Sequence, residues 1–278
     1  MIMFDLNKKY FKDMQHIVYK QWDNIEINAV LNGINPGWVF VNEQINPKTA
    51  LLWSRGIEGF YFIGEPDNDQ FNQNACDFVM NILDKRIRQS GLNYFEVSGD
   101  RPEWDSILEQ IFDKQELIKS RQCVYKFDLE RWKDHEMRSD QKGVTVYRID
   151  KSFFQNRIEN FSFVEDEILR WWNSLEHFFE HAFGYCVVCD EIIVSYCLTN
   201  FVYGNTYTLG IETLKDYRRK GYCQIAVEAF ITDLLEHDSV PYWDCMYTKV
   251  ASRKLAEKIG FYLDHTYALY RILLSEEE

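Results

Sequence analysis

No stretch of this 278-residue chain approaches the roughly 18–20 consecutive apolar residues that a helix needs to cross a bilayer. The first residues, Met1-Ile2-Met3-Phe4-Asp5-Leu6-Asn7-Lys8-Lys9, lack the basic segment and following apolar run of a secretory signal. A cytoplasmic protein is expected. Positive charge is also short, with 31 Lys and Arg against 44 Asp and Glu and a formal net charge of −13. Nucleic acids and anionic membranes are held by cations that neutralise phosphate, so neither is expected as a partner. A cationic or neutral substrate suits the balance better. An even disulfide framework is missing too: the cysteines at 76, 123, 186, 189, 197, 223 and 245 are odd in number and embedded in apolar surroundings, as reduced thiols are. The one Cys-x-x-Cys, Cys186-Val-Val-Cys189, has no second pair and no His at ligand spacing. It reads as strand and turn, and no metal is expected.

What is present is apolar and aromatic content, 46% and 16% of residues, enough for a sizeable core. The length is comfortable for two domains. The first half opens with a helical stretch around Tyr10–Trp22. Hairpin-like segments follow, Trp38–Val41 turning at Asn42-Glu43, then Thr49–Trp53 turning at Gly56 toward Gly59–Ile63. A helix over Asn74–Gln89, a strand at Tyr94–Val97, a helix over Pro102–Phe112 and a strand at Gln122–Phe127 complete it. The charged stretch 129–142 reads as a linker between a domain at 1–128 and another at 143–278.

The second half repeats the plan. Strand Val144–Ile149 leads to helices at Lys151–Arg157 and Val164–Glu180, then a hairpin of Tyr185–Val188 with Ile192–Leu198. A turn at Tyr203-Gly204-Asn205 leads into Tyr207–Thr213. Helix Tyr222–Glu236, strand Tyr242–Tyr247, helix Val250–Ile259 and strand Phe261–Leu273 follow. Both halves read hairpin, hairpin, helix, strand, helix, strand. An internal structural duplication with little sequence identity left explains this; coincidence between two α+β domains is the alternative.

The chemically informative segment runs from Ile211 to Ala226, Ile-Glu-Thr-Leu-Lys-Asp-Tyr-Arg-Arg-Lys-Gly-Tyr-Cys-Gln-Ile-Ala. A strand ends near Thr213, a basic loop follows, and a helix starts near Gly221. Free backbone N–H groups at a helix N-terminus carry the positive end of the dipole and accept a pyrophosphate. Gly221 lets the backbone approach without a Cβ in the way, and Arg218, Arg219 and Lys220 concentrate charge there. A solvated basic helix start is the plainer reading.

Here the chain resembles the GCN5-related N-acetyltransferases, whose pyrophosphate loop reads Arg/Gln-x-x-Gly-x-Gly/Ala. The matching residues are Arg218-Arg-Lys-Gly221-Tyr-Cys223, with Cys223 in place of the last small residue. Downstream, Ser252-Arg-Lys-Leu-Ala-Glu-Lys-Ile-Gly-Phe261 looks like the family's helix ending in Leu/Ile-Gly-Phe. The resemblance covers roughly Val144–Leu273. It implies an α+β fold built of tandem acyl-coenzyme A N-acyltransferase-like lobes, each a mostly antiparallel twisted sheet flanked by helices. It implies acetyl-coenzyme A as co-substrate and an amine, by charge a cationic one, as acceptor. It implies that Ile211, Glu212 and Thr213 border the pantetheine arm and that Arg218, Arg219, Lys220, Gly221, Tyr222 and Cys223 surround the pyrophosphate. The helix beginning near Ser252 should flank the thiol.

Two departures bear on catalysis. Many relatives carry a tyrosine that protonates the departing thiolate; its slot here is Ala256, and the Asn that often begins that helix is Lys249. A thiolate is a tolerable leaving group, since the thiol pKa is about 8.5. Tyr247 at the adjoining strand end is a substitute, or a core or interface tyrosine. An amine must lose its proton before it attacks, which calls for a carboxylate or a water chain. Asp244 and Glu212 are the two candidates, with structural carboxylates paired to Arg or Lys as the plainer reading. The first half has no such loop: its corresponding helix start, Asp69-Gln-Phe-Asn-Gln-Asn-Ala75, lacks the glycine and the cations. An acetyltransferase is thus expected, with an acyl-coenzyme A sensor that has lost its chemistry as the rival. A two-lobed transferase acting on a nucleic-acid-linked donor fits the negative charge poorly.

Overall fold

A computed structural model describes residues 3–55, 59–89, 91–138, 143–153 and 158–274. The chain divides into two units, one of Met1–Cys123 with Thr266–Glu278 and the other of Val124–His265. The expected division at 1–128, 129–142 and 143–278 is drawn differently. The end of the chain belongs with the first unit, and the charged stretch, as far as Arg138, is folded into the second. The expected turn at Gly56, the end of the expected helix at Lys151–Arg157 and the last part of the expected linker lie outside the described residues.

In the first unit the strands are β1 (Phe4–Asp5), β2 (Gly37–Val41), β3 (Thr49–Ser54), β4 (Gly59–Gly64) and β5 (Tyr94–Gly99). Every residue of β3 and β4 is buried, which is why these strands read as continuous apolar runs and not as alternating ones. Neighbours are antiparallel except β4 and β5, which run parallel. Tyr270–Leu273 of the final strand β12 (Phe261–Leu273) closes the order against β5. Phe62 sits at the centre of the core, its ring against Phe71, Trp104 and Phe112.

The helices differ from expectation near the start. Lys8–His16 forms a 3₁₀ helix, and an α-helix, α1, occupies Ile25–Leu31. The Asn24 side chain accepts the Ile27 N–H at 3.0 Å and so caps α1. The expected helix at Asn74–Gln89 starts earlier, as α2 (Asp69–Asp77), a π turn at Phe78–Leu83 and α3 (Asp84–Gln89). Helix α4 covers Trp104–Ile111.

In the second unit the strand order is β6 (Leu117–Phe127, partly in each unit), β11 (Val240–Met246), β10 (Thr206–Thr213), β9 (Ile192–Tyr203), β8 (Gly184–Cys189) and β7 (Val144–Ile149). The pairs β7–β8, β8–β9 and β9–β10 are antiparallel; β10 and β11 are parallel. Helices are α5 (Leu129–Asp134), α6 (Ser162–Trp171), α7 (Leu175–His181), α8 (Tyr222–Glu236) and α9 (Val250–Lys258). The single helix expected at Val164–Glu180 is two, because Trp172 turns to extended backbone after α6. Its buried indole donates to the Thr199 carbonyl at 2.9 Å, and Ser174 caps α7 by accepting the His177 N–H at 3.1 Å. No helix among the described residues is long and apolar enough to cross a membrane. Cys186 of the Cys-x-x-Cys is a buried strand residue whose thiol burial pushes up to about 12.

Candidate functional site

The site is built on a parting of strands. β10 and β11 pair in parallel from Thr206 with Val240 to Thr208 with Tyr242. From there β10 keeps its antiparallel ladder to β9, through Ile211 with Cys197, Glu212 with Tyr196 and Thr213 with Ser195. The same residues have no recorded partner on β11, and the β11 residues Trp243–Met246 have none on β10. Among the described residues the β10–β11 ladder thus ends before Ile211–Thr213 on one strand and Trp243–Met246 on the other.

The loop at the end of β10 is pinned from behind. The Leu214 N–H donates to the Val194 carbonyl at 2.9 Å, and the Ser195 hydroxyl donates to the Glu212 carbonyl at 2.9 Å. Cys223 lies next to the Ser195 and Thr213 hydroxyls; burial pushes its thiol up to about 12, so at neutral pH it is a small neutral packing group. This accounts for a cysteine where a still smaller residue was expected. Tyr222 is buried and its hydroxyl reaches Cys189 Sγ at 3.8 Å.

Gly221 is the N-cap of α8, at φ 90° and ψ 3°, with no side chain to cap the helix. That is left-handed backbone, which an L side chain adopts only with strain. Arg219, at φ 63°, is also left-handed, and such strain in a non-glycine residue clusters at ligand sites. The first amides of a 15-residue helix therefore face the loop uncapped.

The three loop cations are not equivalent. Arg218 turns back to its own strand, donating from Nε to the Thr213 carbonyl at 3.0 Å and from Nη2 to Glu212 Oε1 at 2.9 Å. Glu212 Oε1 also accepts the Thr213 N–H at 3.1 Å. Lys220 lies 4.8 Å from the Tyr217 ring centroid. Arg219 is exposed and its guanidinium has no acceptor among the described residues.

Of the remaining expected residues, Asp244 is half-buried on the part of β11 that has left β10. Tyr247 is 51% exposed, one residue past β11. The Arg253 guanidinium sits 4.2 Å from its ring centroid and donates to its carbonyl at 3.1 Å. The Ser252 hydroxyl accepts the Trp243 indole N–H at 3.1 Å, which ties α9 to β11. Ala256 is fully buried, so a larger side chain at this slot has no open space to enter.

The first unit lacks each of these features at the matching place. There β4 and β5 stay paired from Gly59 with Glu96 to Phe62 with Gly99, and the Asp100 N–H extends the contact to the Phe62 carbonyl at 2.9 Å. The loop after β4 carries Glu65 and Asp67 instead of cations, and α2 opens on Asp69. The Asn68 side chain caps α2 itself, accepting the Phe71 N–H at 3.1 Å.

Sequence reasoning missed a polar group behind the second unit's loop. Glu228 of α8 is 3% exposed and is reached by Gln224 Nε2 at 2.6 Å, His135 Nε2 at 3.3 Å and the Arg138 backbone N–H at 3.0 Å. Lys258 Nζ donates to Gln224 Oε1 at 2.8 Å. The sequence signal was slight, two polar residues four apart in a helix that is buried over most of its circumference.

A mixed sheet whose two parallel strands part beside an uncapped, basic helix start frames the site, and comparison with known proteins gives its family. The GNAT acetyltransferase family model matches residues 15–270, and the chain belongs to that family. An uncharacterized N-acetyltransferase of Bacillus subtilis, YdfB, is 26% identical over 270 residues, 97% of this chain and 98% of the relative. A GCN5-related N-acetyltransferase-like protein from Streptococcus suis superposes with a TM-score of 0.70 at 19% identity, covering 96% of this chain and all of the other. A tandem GNAT protein from the clavulanic acid biosynthesis pathway superposes with a TM-score of 0.63 at 9% identity, over all of this chain and 99% of the other. The family expected from the two motifs, and the tandem fold expected from the repeated order of elements, are thereby shown.

Proposed function

We propose that the second unit binds acetyl-coenzyme A and transfers the acetyl group to an amine. The observation that carries this reading is the parting of β10 and β11 directly before an uncapped helix start whose N-cap is a left-handed glycine. The residues fit the cofactor: the diphosphate would lie against the Tyr222 and Cys223 amides beside Arg219 and Lys220, with the pantetheine arm along Ile211–Thr213. Acetyl-coenzyme A supplies an activated thioester. The chain's own work is to hold it, align the acceptor and remove a proton.

The reaction joins the amine nitrogen to the acetyl carbon as the carbon–sulfur bond breaks. The excess ammonium proton must leave first, and we assign Asp244, on the diverged part of β11, to take it. Glu212 is already engaged by Arg218 and by the Thr213 N–H, so it serves the loop's shape. The acidic balance of the chain favours a cationic acceptor. With Ala256 buried, protonation of the departing thiolate falls to Tyr247 or to water.

The buried Ala256 also supports a second reading, an acyl-coenzyme A sensor without turnover. Thiol release from acetyl-coenzyme A in the presence of a panel of amines separates the two. Amine-dependent release supports the transferase; saturable binding with no release from any amine supports the sensor.

A further inference from the structure

We propose that Arg138, from the charged stretch before β7, is a further ligand of the diphosphate and closes over it from outside the loop. This rests on the cofactor reading above. A Cβ built on Gly221 would lie 2.5 Å from Arg138 Cζ and 2.7 Å from both Nε and Nη2. The guanidinium therefore sits directly on the N-cap of α8. That position is electrostatically adverse, because the positive end of a 15-residue helix is already flanked by Arg219 and Lys220. Neither the Arg138 nor the Arg219 guanidinium has an acceptor among the described residues. An anion between these groups turns mutual repulsion into charge-assisted hydrogen bonding, and a planar guanidinium fork suits phosphate oxygens.

Arg138 is not brought there by an unanchored tail. Its backbone N–H is fixed at 3.0 Å by Glu228 Oε2, and His135, three residues earlier, contacts Glu228 Oε1 at 3.3 Å. The His135 and Trp132 ring centroids lie 4.3 Å apart with the planes tilted by 35°, and the His135 Nδ1 meets the Trp132 carbonyl. Helix α5 is held in turn by the Asp128 N–H on the Gly260 carbonyl at 2.9 Å. Glu228 lies on α8, the helix whose first turn makes the anion site. The same helix thus presents its amides to the diphosphate and holds the strap that carries the extra cation. Glu228 is a positioning residue in this arrangement, acting through Arg138.

Calorimetry on the full chain, with coenzyme A and with dephospho-coenzyme A, tests the assignment. Arg138→Ala should weaken both ligands about tenfold, the scale of one hydrogen bond to a charged group, and Arg138→Lys should recover part of the loss. Dephospho-coenzyme A keeps the diphosphate and lacks the 3′-phosphate, so a loss seen with coenzyme A alone would overturn the diphosphate assignment. Glu228→Gln should weaken binding in the wild-type background and add little to Arg138→Ala; full additivity would overturn the anchoring role. Wild-type affinity in Arg138→Ala, alongside weakened binding in Arg219→Ala, would overturn the proposal while leaving the cofactor site standing. A wild-type chain that binds neither ligand removes the cofactor reading itself, and this inference with it.

Discussion

Thr208 and Tyr242 are the last residues partnered between β10 and β11. Beyond them the strands part, with Ile211–Thr213 and Asp244 on the diverged edges and Arg218–Gly221 in the loop that follows. Glu212 remains laddered to β9, while Asp244 stands on the edge that has left. Asp244→Asn should therefore lower kcat by about 10²–10⁴-fold, the range for losing a positioned base, with coenzyme A affinity little changed. Glu212→Gln should do the reverse, raising KM for acetyl-coenzyme A with a smaller effect on kcat, because it releases Arg218. Steady-state kinetics with one good amine decides the assignment, and full turnover in Asp244→Asn would return that residue to a structural role.

Gly221 combines a positive φ with a crowded outer face. Gly221→Ala should weaken coenzyme A binding moderately, since left-handed backbone costs an L residue about 1–2 kcal/mol. Gly221→Val should weaken it far more, because a β-branched residue is costlier in left-handed backbone and adds bulk where a bare Cβ already meets Arg138. Calorimetry with a parallel melting curve separates lost binding from lost folding; wild-type affinity in Gly221→Val would mean that the diphosphate lies elsewhere.

Much of this was legible in sequence. β7, α8 and β12 carry the same bounds as their sequence-based expectations, because apolar periodicity, Gly221 and the strand-ending turns all agree locally. The break between α6 and α7 was not legible, since Val164–Glu180 has helical spacing throughout and the Trp172 indole bond to Thr199 is a tertiary event. Helix α1 was hidden by the amphipathic 3₁₀ stretch before it. Arg138 was hidden for a different reason: a charged run has the composition of a linker, and only the buried Glu228, ninety residues on, shows that it docks. The loop motif located the site, while the division of labour among Arg218, Arg219 and Lys220 needed coordinates.

Ala256 is fully buried, so restoring the tyrosine common in relatives should not restore an acid. Ala256→Tyr should overpack α9 and cost about 1–3 kcal/mol or more, seen as a lower melting temperature without a gain in kcat. Unchanged stability with faster turnover would contradict this account of the slot.

Asp233 of α8 accepts Arg148 Nε at 2.7 Å and the Tyr185 hydroxyl at 2.8 Å, tying the helix to β7 and β8. Burial and then the hydrogen bond to Asp233 push the Tyr185 phenol up to about 12. A raised native pKa means that the neutral phenol is the form the fold favours. Its contribution to stability is complete below the ordinary tyrosine pKa of about 10 and is lost as pH rises through about 12. Tyr185→Phe should thus melt lower than wild type at neutral pH and show a shallower decline between pH 10 and 12. Parallel curves across that window would contradict the linkage.

The central claim is that one unit, and not both, holds acetyl-coenzyme A. A crystal structure of the chain with acetyl-coenzyme A tests it most directly. The account predicts one molecule per chain, with the diphosphate on the Tyr222 and Cys223 amides, the pantetheine arm along Ile211–Thr213, and Arg138 on a phosphate oxygen. Density for the diphosphate at the start of α2, against Asn68–Phe71, would contradict it.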